Sequence, residues 1–375
     1  MRNRWLLLAT VGAIVALIAA GVTGAVFVAK RKKQAALVAP GFVLRDQLGR
    51  LTSLAQFRGK VVVLTFIDPE CTQICPLTTQ SMVEALKILG PEATSQVQLL
   101  GININTQKAQ VADVAAYTRT HGLQGRWRFL TGTRAELERV WHSYHVYVAV
   151  ENDDIEHDAA VILIDRDGNE RTVDSTVMSY QALGGESRTL AEEIARLLPG
   201  HPAVSVPSQA SQQLEEQLLQ PTDTLSLTAL GPQPQPVVLG GAHPHLLLFF
   251  AGWLGQGSDL KKNLAALDTY AALARRQGWP SPVAVDELAT EPSPAEARQV
   301  LSPLAATLQT PIVEDASGRL ADGYHVGDLP WFVLNSPSGK ILWRHDGWLS
   351  AAALNQQVRA ALSGSRPGPP AIHGF

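Results

Sequence analysis

Cysteine is almost absent from this sequence. Among 375 residues there are two, Cys71 and Cys75, and they are four positions apart. This scarcity excludes a scattered disulfide framework of the kind that small secreted domains use. Any sulfur chemistry in the protein is therefore confined to one place.

An excess of basic charge is also lacking. Lys and Arg number 31 against 34 Asp and Glu, and the formal net charge is -3. A surface that binds nucleic acid by its phosphates needs a basic excess, so nucleic acid is not an expected partner. With 46% hydrophobic residues, the chain is long enough for two ordinary domains together with an anchor and linkers.

A long apolar run is present near the N-terminus. The segment from Trp5 to Ala29 contains no charged residue, and its length of about 25 residues is enough to cross a hydrocarbon core of about 30 Å. We expect a retained membrane anchor, because a cleaved signal peptide has a shorter apolar core. Basic residues flank the run on both sides, and charge alone would place the bulk of the chain in the cytoplasm. The anchor with its flanks is assigned to residues 1–33.

The segment that follows alternates strand-like and helix-like stretches, which predicts an α/β domain with helices packed on a central mixed sheet. Residues 60–67 form an apolar run typical of a strand buried on both faces, and residues 78–89 have helical spacing. The two cysteines therefore lie where a strand passes into a helix. Further strands are predicted at 98–104, 159–164 and 170–173, and further helices at 111–120, 134–144 and 190–198.

The second half of the chain repeats this plan. Residues 245–250 read as a buried strand, residues 260–275 as a helix and residues 330–344 as a hairpin, which indicates an internal duplication at about 180 residues. The predicted organisation is an anchor at 1–33, a first domain at 38–199, a linker at 200–221, a second domain at 222–363 and a disordered tail at 364–375.

The cysteines stand in the sequence CTQICP. At this spacing they lie on one face of a helix once it begins, with Cα atoms about 6 Å apart. Two such thiols can close a disulfide or can present two thiolates to a soft ion such as Cu(I). A helix N-terminus assists both reactions, because its N–H groups and dipole stabilise a thiolate. The alternative is that both are small buried apolar residues.

Four stretches in a fixed order carry a resemblance: GKVVVLTFI, CTQICP, RWRFLTGTRAELERV and EHDAAVILIDRDGNERTV. Together they resemble the SCO1/SenC proteins, membrane-tethered copper chaperones of thioredoxin-like fold that assist the assembly of cytochrome c oxidase. The resemblance covers about residues 40–198. It implies that Cys71, Cys75 and His157 bind a copper ion. Between the cysteines the family commonly carries an acidic residue where this chain has Gln73.

The internal repeat provides a check on His157. Aligning the hairpin glycines Gly168 and Gly339 places Ala159 opposite Pro330, which resembles the cis-proline facing the active site of thioredoxin folds. His157 is then close to the cysteine turn, and an imidazole nitrogen is a suitable third ligand beside two thiolates. The surrounding acidic run favours a bound cation, although a solvated loop explains it equally well. His142 and His145 are interpreted as helix-end residues.

In the second half, FFAGWLGQGSDL resembles the active-site region of TlpA-type thioredoxin-like proteins, with Leu254 and Gly257 where two cysteines would stand. Without a thiol this half cannot exchange disulfides, and we expect it to bind or to serve as a scaffold.

Two functions remain open from the sequence. In the first, the protein binds copper and delivers it to the CuA-bearing subunit of cytochrome c oxidase, with the domains outside the cell membrane and a thiol reductase as a further partner. In the second, it is a thiol-disulfide oxidoreductase in which Cys71 attacks a partner disulfide and Cys75 resolves the mixed disulfide. Replacing His157 discriminates between them, because only the first reading needs that residue. A peroxidase is disfavoured, since no threonine precedes the cysteine in the peroxiredoxin arrangement.

Overall fold

The chain forms two compact units, Met1–Val38 and Ala39–Phe375. The computed structural model describes residues 37–151, 154–204, 223–240, 244–255 and 258–364. In the first unit the described part is strand β1, Leu37–Val38, whose side chains are exposed. All other elements belong to the second unit.

The first half of the second unit is built on a mixed sheet of five strands. Its order is β10-β9-β4-β5-β6. Strands β4, β5 and β6 run parallel, whereas β9 is antiparallel to both β4 and β10. The strands of this half, including the hairpins β2–β3 and β7–β8, are β2 Val43–Arg45, β3 Leu51–Ser53, β4 Val61–Ile67, β5 Val97–Asn103, β6 Trp127–Leu130, β7 Val148–Glu151, β8 Asp154–His157, β9 Ala160–Ile164 and β10 Asn169–Ser175.

Strand β4 lies at the centre of this sheet because its sequence VVVLTFI suits burial on both faces. All seven of its residues are buried. Val61 and Val63 pack into one apolar cluster, and Val62 and Leu64 pack into a second cluster. The strand therefore holds the loop that follows it on a rigid support.

Four helices cover this sheet, and a short 3₁₀ turn stands at Leu54–Phe57. They are α1 Ile74–Thr94, α2 Val111–Thr120, α3 Arg134–Ser143 and α4 Leu183–Leu197. Helix α2 has the predicted bounds, and α3 ends one residue earlier than predicted. At the predicted stop of α1, Gly90 leaves helical geometry with φ 78°, but helical turns resume after it. Pro91 allows this because proline suits the first turn of a helix.

The second half contains another mixed sheet, in the order β15-β14-β13-β16-β17. Its pattern of parallel and antiparallel pairs repeats that of the first sheet, with β13 in the place of β4. The strands of this half, including the separate hairpin β11–β12, are β11 Leu225–Thr228, β12 Pro236–Leu239, β13 His245–Phe250, β14 Ser281–Glu287, β15 Ile312–Asp315, β16 Trp331–Asn335 and β17 Ile341–Asp346. The helices are α5 Ser258–Gln277, α6 Pro294–Ala305, α7 Arg319–Gly323 and α8 Ala351–Leu362.

The two halves share an apolar core. Leu77, Tyr180 and Leu183 from the first half are buried in one cluster with Leu247 and Val333 from the second sheet. Burial of large side chains from both partners is the main source of stability in such a contact. The halves are therefore packed against each other and not merely joined by a linker.

The predicted α/β architecture with mixed central sheets is confirmed. The domain bounds 38–199, 200–221 and 222–363 stay predictions; most of the linker, the tail from residue 365 and Gly257 lie outside the described residues. Within the described ranges, no helix has both the length and the apolar character needed to cross a bilayer. The predicted anchor lies outside those ranges and also stays a prediction.

Candidate metal centre

The two cysteines flank the start of helix α1. Cys71 precedes the helix, and its backbone N–H donates to the Asp68 carbonyl at 3.1 Å. Cys75 lies in the first helical turn, since α1 begins at Ile74. The prediction that both cysteines lie on one helix face is therefore wrong for Cys71. The helix starts late enough to keep Pro76 in its first turn, where the missing N–H of proline costs no helical hydrogen bond.

The two thiols differ in exposure and in acidity. Both are free; Cys71 is half-buried, whereas Cys75 is 1% exposed. The hydrogen bond from the Cys75 thiol holds the pKa of Cys71 below its usual range, and the backbone N–H groups of Cys75 and Gln73 act in the same direction against burial. Donating that hydrogen bond, together with burial, raises the pKa of Cys75 well above its usual range. Cys71 is therefore the more acidic thiol of the pair, and Cys75 is the less acidic one.

His157 is the third side chain at this place. Its Nε2 lies 3.9 Å from Cys75 Sγ, and its Nδ1 lies 2.9 Å from the Asp158 carbonyl oxygen. A carbonyl only accepts, so Nδ1 carries the hydrogen and donates, which leaves the lone pair of Nε2 toward the sulfur. Burial lowers the pKa of His157 and favours the neutral ring. The imidazole is thus in the form that binds a metal.

His157 lies in a β-hairpin. This hairpin was not predicted from the sequence. Strands β7 and β8 pair so that Val148 lies opposite His157. The acidic run around residue 157 indicated either a cation-attracting segment or a solvated loop. The β-branched residues Val148, Val150 and Ile155 on either side of a polar segment were the available signal for strands.

A half-buried carboxyl group, that of Asp68, lies beside the three side chains. Asp68 Oδ1 accepts from Asn105 Nδ2 at 3.0 Å and from the Glu70 N–H at 2.9 Å. Burial raises the pKa of Asp68. The negative charge of Asp68 in turn acts to raise the pKa values of Cys71 and His157, against the effects that lower them. A negative charge at this position favours a bound cation. The sequence interpretation assigned Asp68 no such role.

The donor set fits a soft ion. Two sulfurs and one imidazole nitrogen are ligands that Cu(I) accepts. For metal–sulfur bonds of about 2.3 Å and metal–nitrogen bonds of about 2.0 Å, two ligands of a three-coordinate ion are about 3.7 Å apart. The 3.9 Å between Cys75 Sγ and His157 Nε2 is close to that spacing. Among the described residues, however, no three Cys, His, Asp or Glu side chains form a ready metal cluster. The three groups are neighbours that still have to close around an ion.

Two further histidines of this half, His142 and His145, lie at the end of α3. His142 is exposed, and its Nδ1 lies 2.6 Å from the Glu138 carbonyl oxygen of the same helix. His145 has φ 57°, a conformation that ends helices and favours glycine. Both observations agree with their interpretation as helix-end residues.

The sheet order and the position of the cysteines together define a class. A mixed sheet whose central parallel strand passes through a two-cysteine loop into a helix, with a histidine before the antiparallel strand β9, is a thioredoxin-like fold carrying a dithiol–histidine site. Residues 30–198 match the family described as SCO1/SenC. This part of the chain, a little under half of its length, is therefore similar to the SCO1/SenC family.

Relatives of known identity match the same region. The chain is 32% identical over 143 residues to "Protein SCO2 homolog, mitochondrial" of Bos taurus and 30% identical over 143 residues to the protein of that name from Homo sapiens. Each match covers 36% of this chain and 53% of the relative, so the chain spans about half the length of the curated relatives it matches. A solved structure, Bradyrhizobium japonicum ScoI with copper bound, is 24% identical with a TM-score of 0.38, covering 43% of this chain and 99% of that one.

Proposed function

We propose that this protein binds Cu(I) through Cys71, Cys75 and His157 and delivers it to the CuA-bearing subunit of cytochrome c oxidase. The observation that carries the proposal is the His157 ring, whose unprotonated Nε2 lies 3.9 Å from Cys75 Sγ while Nδ1 donates to the Asp158 carbonyl. The engaged nitrogen fixes the tautomer that leaves the other nitrogen available for a metal. A histidine with only a packing role would not need this orientation beside two thiols.

Binding of the ion displaces protons from the thiols. Cys71 is the more acidic thiol and the more exposed one, so it is the first ligand that an arriving ion meets. Cys75 then gives up its proton as the second metal–sulfur bond forms, and neutral His157 adds its nitrogen without losing a proton. Delivery is the reverse sequence, in which ligands of the partner replace these three one at a time.

We also propose a cellular setting for the protein. We place the chain in the cell membrane as a single-pass protein, with its globular part on the extracytoplasmic side, on the basis of the apolar run at residues 5–29 and the family resemblance. Thiols on that side are subject to oxidation. A thiol reductase that supplies two electrons to the Cys71–Cys75 disulfide is therefore an expected partner, since a disulfide offers no thiolate to the ion.

The second half is proposed to be a cysteine-less, TlpA-like thioredoxin domain. Its sheet has the strand order of the first sheet, and the Leu329–Pro330 peptide is cis. Leu254 stands in the short turn after β13, where an active-site cysteine would lie. Its role is binding or support and not redox chemistry.

A thiol-disulfide oxidoreductase is the second candidate, favoured by the unequal acidity of the two thiols. The Cys71 thiolate would attack one sulfur of a partner disulfide and release the other as a thiolate. Cys75, after losing its proton, would then attack Cys71, so that the partner leaves as a dithiol and Cys71–Cys75 is the new disulfide. Electrons pass from this protein to the partner, and no metal takes part.

Titration with Cu(I) separates the two functions. The reduced full chain is titrated against a chromogenic Cu(I) chelator, with His157→Ala as the test variant and His142→Ala as the matched control. We expect one ion per wild-type chain, a loss of about 100-fold or more in affinity in His157→Ala and no change in His142→Ala. Absence of Cu(I) binding in the wild type, or equal affinity in all three proteins, contradicts the proposal. If either of these two results is obtained and His157→Ala still exchanges disulfides as the wild type does, the thiol-disulfide oxidoreductase is supported.

A further inference from the structure

An aspartate of the second half reaches the loop between the two cysteines. Asp328 precedes strand β16 and is 8% exposed. Its Oδ2 accepts from Gln73 Nε2 at 3.3 Å, and the Thr72 hydroxyl also donates to its carboxylate. Thr72 and Gln73 are two of the three residues that separate Cys71 from Cys75. A carboxylate from a distant part of the chain therefore holds the inside of the cysteine loop.

The Asp328 carboxylate is itself fixed in place. Its Oδ1 accepts from the backbone N–H of Leu329 at 2.6 Å. A hydrogen bond to a charged group is stronger than one between neutral groups, particularly where water is excluded. Asp328 is thus a rigid acceptor that can fix the two loop residues.

The cysteine loop has backbone hydrogen bonds of its own, from the N–H groups of Gln73 and Cys75 to the Cys71 sulfur. Gln73 is the N-cap residue of α1, but its side chain makes no capping hydrogen bond to this helix. Its amide reaches Asp328 instead. Cys71 lies outside the helix and is tied back by the bond from its N–H to the Asp68 carbonyl. The position of Cys71 relative to Cys75 therefore depends on how Thr72 and Gln73 are held.

We propose that Asp328 is a positioning residue for the Cys71–Cys75–His157 site, acting through Thr72 and Gln73. The second half then has a definite role, which is to hold the copper loop of the first half in its binding conformation. This inference rests on the proposed copper function. Outer residues that orient metal ligands typically contribute about 10- to 100-fold to metal affinity.

Asp322 provides a matched control at the same interface. Its carboxylate accepts from Ser179 Oγ at 2.6 Å and from the Tyr180 N–H at 2.9 Å. Asp322 therefore joins the halves at least as firmly as Asp328 does, but through residues 179–181 and not through Thr72 and Gln73. An effect due only to docking of the halves would appear in both variants.

The pair of Gln73 and Asp328 also allows a charge exchange. In Gln73→Glu a carboxylate would face the Asp328 carboxylate, and like charges repel in a partly buried place. In the double variant Gln73→Glu with Asp328→Asn, the amide and the carboxylate have changed sides, and a hydrogen bond from residue 328 to residue 73 can form. Recovery in the double variant would show that the contact itself, and not the residue type at either position, matters.

The test uses the full chain and two readouts. Cu(I) affinity is measured by competition, and amide hydrogen exchange is followed by mass spectrometry in peptides covering residues 70–76 of the copper-free protein. We expect about a tenfold or greater loss of affinity and faster exchange in Asp328→Ala and in Gln73→Glu, with recovery in the double variant. Asp322→Ala should stay near the wild type in both.

Three results would overturn the inference. They are wild-type affinity and exchange in Asp328→Ala, equal losses in Asp328→Ala and Asp322→Ala, and no recovery in the double variant. Failure of the copper function itself is distinguishable, because the wild-type chain would then bind no Cu(I). In that case hydrogen exchange would still report whether Asp328 holds the cysteine loop. Even if it does, a protein that binds no Cu(I) would reject the proposed role of Asp328 in positioning metal ligands.

Discussion

The packing of the two halves depends on a glycine. Gly318, in the second half, has φ 70°, and a Cβ at this position would collide with the backbone carbon and Cβ of Tyr180 and lie 2.7 Å from the backbone nitrogen of Gln181. Tyr180 belongs to the first half and is buried in the shared core. The change Gly318→Ala therefore tests whether the halves are joined as tightly as the structure indicates.

The magnitude follows from two contributions. Alanine in the left-handed region costs about 1–2 kcal/mol, and overpacking against a backbone that cannot easily move costs about 1–3 kcal/mol more. The sum predicts a loss of about 2–5 kcal/mol in the free energy of unfolding. Gly278 is a matched control, because its φ is 67° but a Cβ there would meet no atom within 4 Å. Gly278→Ala should lose only the first contribution.

The assay is urea unfolding of the full chain, followed by fluorescence and by hydrogen exchange at the interface. We expect Gly318→Ala to be less stable than Gly278→Ala by about 1–3 kcal/mol, with faster exchange in the peptide around Tyr180. Equal stability of the two variants would refute this account of the interface, since the close approach to Tyr180 and Gln181 is the contribution by which their predicted losses differ.

Two predictions concern pH. The hydrogen bond to Cys71 and burial raise the pKa of Cys75 well above its usual range, so Cu(I) must displace a proton from this thiol. Competition titrations at about pH 6 and about pH 8 should therefore show Cu(I) affinity rising with pH. The expected rise is up to about tenfold per pH unit for each proton released. Burial also raises the pKa of Glu291 from 4.5 to about 7, so the folded protein binds this proton more tightly than the unfolded chain. That stabilisation is complete below about pH 4.5 and is lost as the pH rises through about 7, and Glu291→Gln should flatten the dependence seen in urea unfolding.

Much of the first half could be predicted from local sequence. Strand β4 and helix α2 were predicted almost residue for residue, because a run rich in β-branched residues and a regular 3.6-residue period leave few alternatives. The start of α1 was less well predicted. Its first turn depends on where Pro76 can be accommodated and on the contact from Gln73 to Asp328. The local sequence shows the proline but not the contact with Asp328.

The remaining features depend on contacts between distant segments. The Asp328 contact joins positions 255 residues apart, and no local pattern marks an aspartate in that role. The hairpin that presents His157 pairs Val148 with His157 through an acidic segment of low β-propensity. Its strands are stabilised by tertiary packing, which sequence propensity does not contain. His157 itself was nevertheless named as a candidate, because the resemblance to the SCO1/SenC proteins implies it and the internal repeat agrees with a position close to the cysteine turn.

The most direct test of the account is the coordination of copper in the loaded protein. X-ray absorption at the copper edge of the reduced, Cu(I)-loaded full chain should show two sulfur ligands and one nitrogen ligand. The nitrogen should disappear in His157→Ala and remain in His142→Ala. A spectrum without a nitrogen ligand in the wild type, or one unchanged by the loss of His157, would contradict the assignment of Cys71, Cys75 and His157 as a single copper site.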